Sequence, residues 1–447
     1  MTTVQSAVTL VVFAAVILAI VLDVMDMVVA ALLGVATLIF FGVYSSRDVA
    51  AVADASGGSL ALLFGGMVVV RVLAPTGLFE WVGSKYLHLT RGSGKRFLIG
   101  LVFLVAILCS VLPNATTVVL IAPVILRVAR TLDIDFVPAL ILTALVSNTA
   151  GLLTLVGDPA TFLVGSAIGM TFGEYLRQVS LGGALNLVAL FLIVPWLLRD
   201  VWSVRRQLPA DLPPARITRP TSAALALLVL AVMLLLFLFG EVTPQEIAPP
   251  AAAIIAAALG LLAVQAMREE TVGDIVRDVD WKTLLFIALL FGLVAAVSKT
   301  GILQSGSQLL HDTFGRHLLM AAMVVLVGIG LTSALLANIP LVAAGLLGVK
   351  GYLIIAGLVP DQALEPTFTA WPPETLPLFI ALMFGGTLGG NATLIGASAN
   401  VVSVGICAAN GRPVSFVGFM RYGVPVVAVQ LVVSALYMLA LHFVRGR

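Results

Sequence analysis

The chain has 447 residues, of which 61% are hydrophobic and only 10% are charged, and its net charge is +2. Soluble domains carry about 25% charged residues, so this chain cannot cover itself with polar surface, and lipid must be its solvent. A net charge this small gives no reason to expect nucleic acid as a partner. The two cysteines, Cys109 and Cys407, lie in apolar runs, which argues against a disulfide framework.

Apolar stretches long enough to cross the hydrocarbon core of a bilayer follow one another along the chain. Ten of them predict membrane spans at 5–22, 25–43, 58–75, 136–170, 180–199, 222–240, 247–267, 282–298, 375–408 and 422–443. Two further apolar regions, 96–130 and 318–349, each have a polar tip near their centre, at 113–117 and 337–340. We interpret these regions as re-entrant hairpins, whose non-helical tips must face protein or a water-filled cavity.

Two of the predicted spans contain a similar phrase of small and polar residues. Residues 151–165 read GLLTLVGDPATFLVG and residues 390–404 read GNATLIGASANVVSV. At one constant offset, Thr-Leu-Val-Gly at 154–157 aligns with Thr-Leu-Ile-Gly at 393–396. Helices interrupted at corresponding places in two halves indicate the binding site of a secondary transporter. We therefore expect 136–170 and 375–408 to be broken helices.

The charges of the loops predict an orientation. Sixteen Lys and Arg residues fall on one side of the predicted membrane and seven on the other, so the richer side is cytoplasmic and both termini face outward. The proline-rich segment 201–221 predicts a cytoplasmic linker between a first repeat, 1–200, and a second, 222–447.

The predicted fold is an all-α polytopic membrane protein with two repeats, each containing five transmembrane helices, one hairpin and one broken helix. Five is an odd number, so the second repeat is expected to be inverted relative to the first. Inverted repeats are the architecture of alternating access.

The order of hairpin tip and broken helix in both halves resembles the ion transporter superfamily over about residues 60–430. That group includes citrate transporters, divalent anion:sodium symporters, arsenite permeases, some sodium/proton antiporters and the melanosomal P protein. The resemblance is carried by Asn114-Ala115-Thr116-Thr117, Ala122-Pro123, Thr154-Leu155-Val156-Gly157-Asp158-Pro159, Asn338-Ile339-Pro340 and the run from Gly389 to Asn400. The Gly-Asp-Pro sequence is most similar to the arsenite permease, antiporter and P-protein branch.

The chain also departs from that pattern. Antiporter-like members typically have Asp before each tip Asn, whereas this chain has Pro113 and Ala337. After Gly-Asp they typically have Pro-Pro-Asn, whereas here Pro159-Ala160-Thr161 follows. The loss of two tip carboxylates disfavours sodium/proton antiport and leaves both Na⁺ and H⁺ open as coupling ions.

Broken helices have a chemistry that is independent of any family. The first half-helix ends in carbonyls of partial negative charge, which suit Na⁺, and the second begins with amides that suit an anionic substrate. Coupling residues are expected to be Asp158, Asn114, Asn338, Gly151, Gly157, Gly390 and Gly396, with Na⁺ at Asn114/Gly157 and at Asn338/Gly396. Substrate-binding candidates are Asn114, Thr116, Thr117, Asn148, Thr149, Thr154, Asn338, Pro340, Asn391, Thr393, Ser398 and Asn400.

Two ionisable residues within predicted spans have alternative interpretations. Asp158 is either a proton acceptor or cation ligand, or the N-cap of the restarted half-helix, where Asp followed by Pro is favoured. Arg71 either holds an anionic substrate or pairs with Asp158, or extends to the nearby membrane surface.

We therefore expect a secondary transporter of a small anion or oxyanion, coupled to Na⁺ or H⁺. The alternative is a sodium/proton antiporter or an arsenite-type efflux permease. A membrane enzyme is disfavoured because catalytic His, Ser, Cys or paired carboxylates do not cluster, and a channel is disfavoured because it would not explain two inverted broken helices so economically. No Walker loop is present, so energy must come from an ion gradient or a partner ATPase. We expect no cofactor, a bacterial inner-membrane location and, as the resemblance implies, a homodimer.

Overall fold

A computed structural model describes residues 3–21, 24–110, 112–155, 157–206, 216–268, 270–336, 338–364 and 368–445. Over these residues the chain is helical and contains no strand, apart from an isolated bridge between Ser93 and Arg205. Eight helices are long and apolar enough to cross a membrane, and several shorter apolar helices accompany them. The prediction of an all-α polytopic membrane protein is confirmed.

Eleven of the described α-helices precede the segment 207–215. This segment is the centre of the predicted linker 201–221 and lies outside the described residues. The eleven helices are α1 (Thr3–Val21), α2 (Met27–Phe40), α3 (Ser46–Leu73), α4 (Leu78–Thr90), α5 (Gly94–Cys109), α6 (Asn114–Leu132), α7 (Val137–Ala150), α8 (Pro159–Ala167), α9 (Phe172–Gln178), α10 (Ser180–Leu197) and α11 (Arg199–Trp202).

Ten of the described α-helices follow that segment. They are α12 (Pro220–Phe239), α13 (Pro249–Met267), α14 (Val272–Arg277), α15 (Trp281–Ser298), α16 (Ile302–Phe314), α17 (Leu318–Ser333), α18 (Asn338–Ile355), α19 (Leu376–Gly389), α20 (Ser398–Ala409) and α21 (Phe416–Arg445).

The two regions interpreted as hairpins each form a pair of consecutive helices that meet at the polar tip. Helices α5 and α6 are joined by residues 110–113, and α17 and α18 by residues 334–337. Asn114 and Asn338 are therefore the first residues of the returning helices. Entry and exit on the same side of the membrane stays a prediction.

Two short helices, α4 and α16, follow corresponding bends in the two halves. Each begins after a glycine with positive φ, Gly77 at 78° and Gly301 at 84°, a conformation that glycine adopts without steric cost. Neither helix is a predicted span, because their sequences mix apolar and polar residues. A Thr-Gly pair precedes each helix, so the correspondence is visible in the sequence.

The helices that contain the breaks lie at the centre of the molecule. Every residue of α19 is buried, and so is every residue of α7 from Ala139 onwards. By contrast, only 28% of α12 and of α13 is buried, which leaves much of both apolar surfaces to face lipid. Helices apolar on all sides belong in the interior, and the polar breaks of α7 and α19 are thereby held within protein.

Candidate functional site

The first break separates α7 from α8 and lies against the tip between α5 and α6. A single turn of 3₁₀-helix covers 151–153, and Thr154 is then extended, with φ −139° and ψ 155°. The Thr154 hydroxyl donates a 2.6 Å hydrogen bond to the carbonyl oxygen of Ser110. The amide of Gly157 donates to the carbonyl oxygen of Thr154 at 3.2 Å, which closes the turn.

The second break, between α19 and α20, repeats this geometry. A 3₁₀ turn covers 390–392, Thr393 is extended, and its hydroxyl donates to the carbonyl oxygen of Ala334. The Gly396 amide donates to the Thr393 carbonyl at 3.4 Å. Ser110 and Ala334 each lie four residues before the tip asparagine. In both halves, therefore, one threonine ties the break to the turn before the tip.

Glycines at both breaks permit a close approach of two backbone segments. A Cβ added to Gly157 would lie 2.7 Å from the Gly151 carbonyl oxygen and 3.0 Å from the Cys109 carbonyl oxygen. A Cβ added to Gly396 would lie 2.5 Å from the Gly390 carbonyl oxygen. Only glycine fits at these two positions without displacing backbone, which explains why both copies of the phrase carry glycine there.

Asp158 begins α8 and is contacted by both halves of the chain. Its side chain is 2% exposed and accepts a 3.3 Å hydrogen bond from the Thr161 amide, so it caps the helix. The same carboxylate accepts from Asn338 Nδ2 at 3.4 Å and from Thr387 Oγ1 at 3.2 Å. The capping interpretation is thus confirmed, and two side chains of the second half also depend on this carboxylate.

Asn114 places an unpartnered oxygen beside the first break. Its Oδ1 and the Thr117 Oγ1 are buried without a hydrogen-bond partner among the described residues. The Asn114 amide group lies 3.4 Å from the position that a Cβ on Gly151 would take, and Asp158 Cβ lies 3.1 Å from that position. The Asn114 amide group and the base of the Asp158 side chain therefore both lie close to Gly151, and amide and carboxylate oxygens are ligands that hard cations prefer.

A buried network of side-chain amides joins the two halves. Asn148 Nδ2 donates to Asn391 Oδ1 at 2.9 Å and to Asn400 Oδ1 at 3.0 Å. Asn391 Nδ2 donates to Thr149 Oγ1 at 3.3 Å and to Gln430 Oε1 at 3.2 Å. All five side chains are at most 2% exposed. The predicted polar residues of α7, of the second break and of α20 are thus brought together, and in this conformation they bind one another.

Gln430 was not identified from the sequence, although it is the partner that completes this network. It lies on α21 and also donates to Thr149 Oγ1 at 2.8 Å. A single glutamine inside the predicted span 422–443 is the signal that could have identified it, since polar residues of spans usually face other helices. Asn400 additionally donates to the carbonyl oxygens of Gly390 and Thr393, at 2.8 and 2.7 Å, and so fixes the second break.

The remaining predicted residues are either less buried than this network or lie outside the described residues. Thr116 is half-buried and Ser398 is exposed at the start of α20. Val156, Ala337 and the side chain of Pro340 lie outside the described residues.

Arg71 is placed away from the site. It binds Glu270 at 3.1 Å and Asp278 at 2.8 Å, so the expectation that it pairs with Asp158 is wrong. Its carboxylate partners lie about 200 residues away along the chain, so local sequence patterns could not identify them.

The chain matches the model of the family described as citrate transporter (CitMHS) over residues 17–372. A protein of Synechocystis described as an uncharacterized transporter is 42% identical over 433 residues, which are 97% of this chain and 96% of that protein. An uncharacterized transporter of Mycobacterium tuberculosis is 33% identical over 446 residues, 98% of this chain and 99% of the relative. The human P protein is 28% identical over an alignment that covers 87% of this chain and 54% of that protein.

Proposed function

The chain belongs to the citrate transporter family, and from this premise we propose that it is an ion-coupled secondary transporter of a small anion or oxyanion that works by alternating access. The observation that supports this proposal most is the matched pair of breaks, each tied by its threonine to a hairpin tip. Paired interrupted helices near the centre of the molecule are how such transporters bind substrate and coupling ion.

The two breaks differ at the start of the second half-helix. Asp158 caps α8, whereas Ala397 occupies the aligned position before α20 and has no side-chain cap. The first amides of α20 are therefore free of a capping carboxylate, and Ser398 beside them is exposed. Uncapped amides at a helix N-terminus suit an anionic oxygen. We assign the anion to the second break, with Ser398 and Thr393 as candidate contacts.

The first break suits the coupling ion. Asp158 supplies a negative charge, Asn114 Oδ1 supplies an unpartnered oxygen, and carbonyls of Gly151 and Cys109 converge on Gly157. Two Na⁺ sites are predicted from the sequence, at Asn114/Gly157 and at Asn338/Gly396. We assign Na⁺ to the first, because the Asn338 side chain of the second already donates a hydrogen bond to Asp158. Na⁺ bound there would neutralise the carboxylate that the second half contacts, so binding at one break affects the other.

Proton-coupled exchange is the second candidate, and one observation favours it. Among the described residues, Asp158 is the only buried carboxylate. A proton delivered to it would remove the same charge that Na⁺ would neutralise. Under this alternative Asp158 carries the proton, and no Na⁺ dependence is expected.

For alternating access, we propose that each helix pair with its tip and its broken helix moves against a scaffold that includes α12 and α13. These two helices pack on each other and on α3. Their largely exposed apolar faces are available to lipid or to a second copy in a homodimer. The bacterial inner membrane, with both termini outside, is the proposed location.

The proposal is tested by gradient-driven uptake of a radiolabelled anion into proteoliposomes that contain the purified full chain. We expect Asn114→Ala and Asp158→Asn to lower the initial rate more than tenfold, because each removes a ligand of the coupling ion. The control is Asn410→Ala, since Asn410 is exposed at the end of α20. Unchanged uptake in both variants, with either Na⁺ or H⁺ as the driving ion, would contradict the assigned coupling site.

A further inference from the structure

A large cavity adjoins the first break, from which Leu155 contributes to its lining. Its volume is about 740 Å³, within the range of small-molecule sites. Residues of helices α3, α8, α13, α15 and α18 line it. The lining is mainly apolar, with Phe162 and Leu163 on α8, Phe291 on α15 and Leu346 on α18. The cavity thus lies among the helices that carry the first break and the second tip and helices of the proposed scaffold.

One buried cation faces this apolar space. Lys350 on α18 is 4% exposed, lines the cavity and forms no ion pair with any described residue. Its Nζ lies 5.2 Å from the ring centroid of Trp371, a weak cation–π contact that holds the ammonium in place. The other cavity lysine, Lys299, is neutralised by Asp48 at 2.5 Å. The described lining therefore carries one uncompensated positive charge.

The position of Lys350 relates the cavity to the candidate site. Helix α18 begins at Asn338, which contacts Asp158, and Lys350 follows twelve residues later, about 18 Å along the helix axis. Helix α8 starts directly after Asp158, and four of its residues, Phe162, Leu163, Ser166 and Ala167, line the same cavity. The cavity therefore extends along α8 and α18 from the region of the breaks to Lys350.

We propose that this cavity binds an anion with one negative charge and an apolar body, with its carboxylate on Lys350 and its body against Phe162, Leu163 and Leu346. A buried, unpaired ammonium is unfavourable, and one carboxylate compensates it fully. The apolar walls disfavour a second or third charge, so the site selects against citrate and sulfate. The proposal has a second part, which rests on the proposed function. In this part, the cavity is an outer subsite from which substrate reaches the breaks.

Binding is tested with purified full-length protein by titration of phenylacetate, with citrate and sulfate as comparison anions. The readouts are tryptophan fluorescence, because Trp371 adjoins the ammonium, and the concentration-dependent rise in Tm that a ligand of the folded state produces. We expect saturable binding of phenylacetate at least tenfold tighter than that of either comparison anion. Equal or tighter binding of citrate or sulfate would overturn the proposal.

Two lysine variants separate the specific site from general charge effects. Lys350→Met keeps the length and apolar stem of the side chain, so the protein should fold with an unchanged or higher Tm in the absence of ligand. It should weaken phenylacetate binding at least tenfold, whereas Lys299→Met, in the same cavity, should weaken it less than threefold. Equal binding by wild type and Lys350→Met overturns the proposal.

A further titration distinguishes the two sources of such an anion, the aqueous phase and the membrane. Dodecanoate has the same single carboxylate on a longer apolar chain. Lys350-dependent binding of dodecanoate together with phenylacetate supports the site. Binding of dodecanoate alone supports the anion chemistry, assigns the occupant to the membrane and overturns the substrate route.

Transport measurements separate this inference from the proposed function. Gradient-driven anion uptake that is unaffected by Lys350→Met overturns the substrate route and leaves the proposed function standing. Lys350-dependent binding without gradient-driven uptake of any anion keeps the cavity site and contradicts the proposed function.

Discussion

Substitution of Gly157 by alanine tests the close backbone approach on which the first break depends. The new Cβ would lie 2.7 Å from the Gly151 carbonyl oxygen and 3.0 Å from that of Cys109. Favourable contacts of carbon are found at about 3.5 Å or more, so the break must widen by several tenths of an ångström. Both opposing atoms belong to backbone, and no side chain can rotate away.

The expected cost is that of overpacking, about 1–3 kcal/mol. The displaced carbonyls are those assigned to the coupling ion, and small misplacements of such groups can reduce rates by about 10²-fold. We therefore expect Gly157→Ala to lower Tm and to reduce gradient-driven uptake more than tenfold, while the protein still reaches the membrane.

Gly405→Ala is the matched control, because Gly405 lies on α20 and a Cβ there meets no atom within 4 Å. Alanine in a helix is favoured over glycine by about 1 kcal/mol, so this variant should have an equal or higher Tm and normal uptake. The assays are a thermal unfolding scan and proteoliposome uptake with all three proteins. Wild-type uptake and Tm in Gly157→Ala would refute the reasoning.

Two further predictions concern stability. Asn391→Ala should destabilise the protein by about 1–3 kcal/mol, because it leaves the buried Gln430 oxygen unpaired; thermal unfolding checks this, and an effect no larger than that of the exposed Asn410→Ala would contradict it. Asp48 accepts hydrogen bonds from Lys299, which has the larger effect, and from Ser45, and these lower the pKa of Asp48 from 3.8 to about 2. The stability from this pair is therefore complete above about pH 4 and is lost as the pH falls towards 2; Tm in this window should fall more steeply for wild type than for Asp48→Asn, and parallel curves would contradict the pairing.

The breaks could be predicted from the sequence because their signals are local. Glycine and threonine interrupt the two apolar runs at matching positions, Asp158-Pro159 adds a further signal to the first run, and the structure ends α7 and α19 there. The tips could be located for the same reason, with α6 and α18 beginning at Asn114 and Asn338.

The pairing of distant groups could not be predicted in this way. The Thr393 hydroxyl donates to the backbone carbonyl of Ala334. Every residue has such a carbonyl, so the residue type at position 334 gives no sign of this hydrogen bond. The ion pairs of Arg71 with Glu270 and Asp278 could not be predicted, because both carboxylates are remote in the chain. The amide network needed Gln430, whose partners are defined only once α21 packs against α19.

The most direct test of the central claim is the uptake of labelled anion into proteoliposomes under an imposed Na⁺ or H⁺ gradient. Vesicles with the gradient are compared with vesicles in which an ionophore has collapsed it. The account predicts accumulation above the external concentration only while the gradient persists, and its loss in Asp158→Asn. Equilibration to the external concentration at the same rate with and without either gradient would contradict ion-coupled transport by this protein.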